Sequence, residues 1–191
     1  MSYLKEFIMK NEGLKTSTET LQSSSTPDKQ QTKTMKTVSS TMGEIVWLMS
    51  QSSIHRYLSL ADLEWLLMPP ILLRQYKLYR DEGQKPIAAA LWAYLSEESE
   101  KKFLSVGRLS PQDWGNNASV NPEKGIMPNA GGTLWLVELI TPFHNETNNH
   151  REQIVNDLVN STLTGQELKI LQLNPETGVK EVKVLGKQIL N

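Results

Sequence analysis

The 191 residues include no cysteine. That absence removes disulfides, thiolate nucleophiles and thiolate metal sites together, and it fits a reducing compartment. Histidine is scarce too: the chain has three, His55, His144 and His150. A base or nucleophile that works near neutral pH therefore has few candidate positions. No excess of charge is present, 20 Lys and Arg against 21 Asp and Glu leaving a net −1. Without a uniform positive field, nucleic acid is not an expected partner. No apolar run approaches the roughly 18 residues of a membrane span, and Met1 to Lys10 lack the long apolar segment and cleavage site of a secretory signal. We expect a soluble, cytoplasmic protein.

What is present divides the chain in two. Residues 1–41 hold a Ser- and Thr-rich stretch with almost no large apolar side chain, too little apolar surface to repay the entropy of ordering, so they are expected to form a flexible tail. Residues 42–191 carry the folded domain. Ile45, Val46, Leu48 and Met49 fit one face of a short helix, and Ser59 caps a second that runs into Pro69-Pro70. Gln75 to Tyr79 and Ile87 to Tyr94 flank a turn-like Asp81 to Pro86 segment and predict an antiparallel hairpin. Ser96 and Ser110 each open a further short helix. Gly115 to Gly132, rich in Asn, Gly and Pro, is expected to be an irregular loop. Thr133 to Ile140 is apolar enough for a central strand covered on both faces. Thr147 or Asn148 starts a helix through Val159, and strands Glu167 to Leu173 and Val179 to Leu185 close the chain. The pattern predicts an α/β (α+β) fold, a mixed and mostly antiparallel sheet flanked by helices.

His55 lies in Trp47-Leu48-Met49-Ser50-Gln51-Ser52-Ser53-Ile54-His55-Arg56, at the end of the first apolar helix pattern, and is the histidine placed to reach a core. His144 and His150 fall in an Asn-rich polar segment and are expected at the surface, as is Arg56. With one candidate core histidine and no cysteine, no metal site is expected. Gly131-Gly132 precedes a strand instead of opening a helix, so no phosphate-cradling loop is evident. Strict alternation along Thr133 to Ile140 places Glu138 on one face with Leu134, Leu136 and Ile140. A carboxylate in that company needs a partner. From the residues alone, a structural ion pair to Lys or Arg serves as well as a functional one. The five tryptophans, Trp47, Trp65, Trp92, Trp114 and Trp135, are expected in the core, although one or two could line an apolar channel.

The ordered set Gly43-x-x-x-Trp47-Leu48, Ser52-Ser53-Ile54-His55-Arg56, Leu67-Met68-Pro69-Pro70-Ile71, Gln75-Tyr76, Leu91 to Ser96, Asp113-Trp114 and Trp135 to Phe143 resembles the toxin-activating lysine acyltransferases, the activators of RTX protoxins. The resemblance implies a GNAT-like fold and transfer of a fatty acyl group from acyl carrier protein to internal lysines of a partner protoxin. It implies no tightly bound cofactor, and it allows a homodimer. It places the catalytic histidine at His55, in the Ser-x-x-His segment beginning at Ser52, and an assisting carboxylate at Glu138, where relatives carry aspartate. Ser53 stands where proline is usual.

A lysine ammonium is no nucleophile until it loses a proton, so acylation by a thioester needs a positioned base. An imidazole can supply that function, and a carboxylate on its other nitrogen would fix the tautomer. His55 could act as base or as the acyl acceptor itself. Ser52 could donate to the carbonyl under attack or simply cap a helix. Two other readings compete. One is a relative that matures another secreted peptide, such as a bacteriocin, with a non-lysine acceptor; the other is a non-catalytic GNAT-like binding protein.

Overall fold

The computed structural model describes residues 37–115, 118–121, 125–128, 132–145, 147–174 and 176–186, all within one unit that spans Lys36–Asn191. Most of the expected tail, residues 1–36, lies outside the described residues. Its last part does not match the expectation, because helix α1, Val38–Gln51, begins inside it. Thr37 starts the helix: its hydroxyl accepts the Ser40 amide at 3.2 Å, and such a cap lets an otherwise polar first turn form. Thr41, Ile45, Leu48 and Met49 make the buried stripe of α1, the i, i+4, i+7 spacing of a surface helix on a core. The helix stops at Ser52, whose backbone is extended and whose amide bonds the Met49 carbonyl at 3.1 Å.

A single tight turn, His55–Tyr57, leads to α2, Leu60–Leu66. Ser59 and Asp62 cap α2 reciprocally, side chain to backbone in both directions. The second helix ends ahead of the proline pair: the chain breaks at Leu67, and α3, Met68–Leu72, starts anew with Pro69 and Pro70 in its first turn, where no amide proton is missed. Strands β1, Tyr76–Arg80, and β2, Pro86–Leu95, then form the predicted hairpin, with Tyr76 opposite Leu91. Ser96 caps α4, Glu97–Val106, and Gly107 ends it at φ 74°, a conformation that glycine takes without strain. Helix α5 is Pro111–Gly115.

The Gly115 to Gly132 segment is not an irregular loop throughout. Ala118–Asn121 (β3) and Gly125–Pro128 (β4) pair as a small hairpin, Ala118 opposite Pro128. Strands this short tolerate the turn residues that argue against longer ones, which is why composition concealed them. Strand β5, Thr133–Ile140, follows, then α6, His150–Asp157, one turn of π-helix over Leu158–Thr162, and the hairpin β6, Leu168–Leu173, with β7, Lys180–Leu185.

The main sheet has five strands in the order β1-β2-β5-β6-β7. All junctions are antiparallel except β5–β6, where α6 supplies the crossover that a parallel pair requires. This is the mixed, mostly antiparallel sheet expected, with β5 at its centre. Helices cover both faces. On the near face, α1 to α5 pack Ile45, Leu48, Leu66, Ile71, Phe103 and Trp114 against Ala89, Leu91, Ala93, Trp135 and Ile140. On the far face, Ile154, Leu158 and Leu163 pack against Ala88, Ala90, Trp92, Leu134, Leu136 and Leu168. Each fully buried leucine among them contributes about 1.5–3 kcal/mol of transfer free energy. Trp92, Trp114 and Trp135 are buried, while Trp47 and Trp65 pack at the margin of the near-face cluster. At the opposite edge from β1, the residues of β7 are exposed up to its last, Leu185.

Candidate active site

Helix α1 packs on the near face, and His55, in the turn that follows it, reaches Glu138 of β5. The chain leaves α1 at Ser52 and makes its tight turn at once, which swings the His55 ring back under the helix end. There the histidine is 8% exposed. Its Nε2 lies 3.0 Å from Oε1 of Glu138. Its Nδ1 lies 2.7 Å from the Ser52 hydroxyl. The three side chains singled out in the sequence thus form one continuous row, serine, imidazole, carboxylate.

The position of Glu138 contradicts strict alternation. Along β2 the residues alternate cleanly, Ala88, Ala90, Trp92 and Tyr94 to the far face, Ala89, Leu91, Ala93 and Leu95 to the near one. On β5, Leu134 and Leu136 belong to the far cluster, yet Ile140 belongs to the near one. The register shows the cause. Trp92 is opposite Leu136 and Leu91 is opposite Glu138, so one step on β2 spans two on β5 and Val137 is the extra residue. This β-bulge turns Glu138 from the far face to the face that carries His55. Had the strand continued without it, the carboxylate would point into Leu134, Leu136 and the far helix layer. Sequence reasoning missed Val137, and no glycine in Trp135-Leu136-Val137-Glu138-Leu139 marks the place.

Glu138 does not extend straight toward the histidine. The same Oε1 also accepts the Leu139 backbone amide at 3.1 Å, so the side chain folds back on its own strand. That rotamer absorbs the extra methylene relative to aspartate and anchors the carboxylate with a second donor. The parallel pairing of β5 with β6 runs from Leu134 opposite Leu168 to Leu136 opposite Ile170 and stops there, just before the bulge. Glu138 is 30% exposed, its ring partner far less.

These contacts determine where the protons sit. An ionised carboxylate only accepts, so the Glu138 bond places a proton on Nε2. In the neutral ring Nδ1 then carries the lone pair and accepts the Ser52 O–H. The Ser52 oxygen is itself a weak acceptor for the Ile54 and His55 amides, both at 3.4 Å. Ser52 therefore serves as the end of α1, as the start of the next turn and as a ring partner. Its one hydroxyl proton is committed to Nδ1, so it donates to no other acceptor while the ring is neutral.

The remaining candidates lie outside the row. Arg56 is exposed and stacks over its neighbour, the Tyr57 ring, at 5.6 Å. His144 is exposed, and His150 is the half-buried first residue of α6. Among the described residues, no three His, Asp or Glu side chains converge as metal ligands do.

Comparison with known proteins shows the family. Residues 34–185 match the RTX toxin acyltransferase family. An uncharacterised protein of Synechocystis is 30% identical over 144 residues, 75% of this chain and 85% of its own length. The lysine-acyltransferase RtxC of Vibrio cholerae is 31% identical over 128 residues, 65% of this chain and 70% of that one. The RTX-II toxin-activating lysine-acyltransferase ApxIIC of Actinobacillus pleuropneumoniae is 34% identical over 103 residues, 53% of this chain and 55% of its own.

Proposed function

Because the chain belongs to the RTX toxin acyltransferase family, and so to the acyltransferases, we propose that it moves a fatty acyl group from acyl carrier protein to lysine side chains of a partner protoxin and thereby activates it. The observation that carries the catalytic part is the 3.0 Å contact between His55 Nε2 and the Glu138 carboxylate, made possible by the bulge at Val137. The names of the relatives, a lysine-acyltransferase and a toxin-activating lysine-acyltransferase, support the acceptor class.

In this reading the acyl thioester and the lysine amine meet beside the His55 turn. The amine attacks the thioester carbon, His55 takes up the proton that the amine sheds, and Glu138 stabilises the imidazolium as it forms. The thiolate of the carrier arm leaves and recovers the proton as thiol. Such a donor places the enzyme in the cytoplasm. Among the described residues no helix is long and apolar enough to cross a membrane. Pairing of two protomers belongs to the same reading and is checked by light scattering of the purified chain.

The test is to incubate the protein with acyl carrier protein thioester and a candidate RTX protoxin, then map mass shifts on the acceptor. Acylated lysines are expected. A shift on hydroxyls or a terminal amine instead would assign the chain to maturation of another peptide, and no shift on any partner would leave a binding protein.

A further inference from the structure

For acyl transfer, the buried His55 ring must exchange a proton with the acceptor amine. Of the two ring nitrogens, Nε2 is protonated and bonded to Glu138 at 3.0 Å, and Nδ1 is covered by the Ser52 oxygen at 2.7 Å. Both ring nitrogens are thus engaged by side chains of the protein itself. We infer that the acid–base route runs through Ser52: its hydroxyl relays the proton between the acceptor amine and Nδ1 of His55.

The geometry supplies each part of the relay. A hydroxyl donates one proton and accepts on two lone pairs. In the resting row, Ser52 O–H donates to Nδ1. When the amine nitrogen has bonded to the thioester carbon, its surplus N–H proton passes to the Ser52 oxygen as the Ser52 proton passes to Nδ1. The ring becomes an imidazolium held between Glu138 and Ser52. Nδ1–H now donates to the Ser52 oxygen, and the hydroxyl proton is free to turn toward the negative oxygen of the tetrahedral adduct. Proton uptake by the ring thus switches Ser52 from ring donor to oxyanion donor. Collapse of the adduct expels the thiolate, which regains the proton by the reverse path. Thioester plus amine gives amide plus thiol, and serine and histidine end as they began. The same geometry disfavours an acyl-imidazole, because attack by Nδ1 would require Ser52 to vacate the position it holds.

This relay rests on the proposed acyl transfer, and the tests separate the two. In the full chain labelled with 15N-histidine, the neutral His55 ring is expected to show a protonated Nε2 and an unprotonated Nδ1; the opposite tautomer overturns the relay, whatever the activity. Ser52→Ala is expected to lower kcat about 100-fold, the low end of general acid–base contributions, with KM for the acceptor unchanged. The dependence of kcat on the deuterium content of the solvent is expected to bend in the wild type, where two protons move together, and to become linear in Ser52→Ala. An active wild type beside an indifferent Ser52→Ala protein overturns the relay alone. An acyl adduct on Ser52 after exposure to the carrier thioester without acceptor overturns it in favour of a covalent serine route. Wild-type protein that acylates nothing overturns the proposed function, and the relay with it.

Discussion

Replacing His55 by alanine removes the ring that bridges Ser52 and Glu138, and acyl transfer is expected to fall by about 1,000-fold or more, within the range that a positioned acid–base group supplies. Glu138→Gln tests the carboxylate more finely. An amide oxygen can still accept from His55 Nε2 and from the Leu139 amide, so the fold is expected to hold its melting temperature to within about 2 °C. It cannot neutralise an imidazolium, and kcat is expected to drop about 100-fold. Glu138→Asp is the informative third variant. Because the glutamate folds back onto Leu139, its reach toward the ring is shorter than its length, so aspartate is expected to keep activity within about tenfold of wild type by single-turnover assay, a smaller loss than removing an acid–base group causes. His55 was legible in the sequence because histidine is rare and cysteine absent. Glu138 was legible only through the resemblance; its apolar neighbours suited a structural ion pair equally well.

At the scale of elements, the helix caps were readable and the bulge was not. Ser59, Ser96 and Ser110 each announce a helix by local chemistry that a single residue can specify. The bulge at Val137 depends on what β2 offers across the sheet, a long-range cause that leaves no local mark. The cap of α5 offers a stability test. Asp113, buried beside Trp114, is desolvated, which raises its pKa, yet the Ser110 hydroxyl and amide, with Lys102 and Ser99, outweigh that and hold it below the ordinary aspartate value. A carboxyl depressed in the folded state stabilises above its unfolded pKa, and that stability is lost as pH falls through the folded one. Asp113→Asn is therefore expected to cost about 1–3 kcal/mol at pH 7 in urea titrations, and the gap to wild type is expected to narrow as pH drops below about 4.

At the scale of the whole molecule, the two cores divide the labour. Both side chains that contact His55, Ser52 and Glu138, lie on the near side of the sheet, so packing defects there and on the far face are expected to differ in kind. Leu48 and Leu158 are both fully buried, one in each cluster. Either leucine-to-alanine change is expected to cost about 2–5 kcal/mol. Measured below the melting range, Leu48→Ala is expected to lower kcat, since α1 carries Ser52, whereas Leu158→Ala leaves it unchanged. Two hairpins flanking a central apolar strand were enough to foresee the sheet. The parallel β5–β6 junction follows from the intervening helix, and the small β3–β4 hairpin was hidden by its composition.

The bulge also sets what this lineage can change. Residues gained or lost between β3 and β4 leave the pairing of β5 with β2 in frame, so changes of length are expected to be tolerated there. One residue gained or lost between Trp135 and Glu138 would exchange the two faces of the strand beyond it, sending the carboxylate among far-face leucines and Ile140 away from its cluster. Related chains are thus expected to vary in side chains along this stretch and almost never in its length, and the spacing from Trp135 to Glu138 becomes a better guide to the acid than the identity of the acid itself.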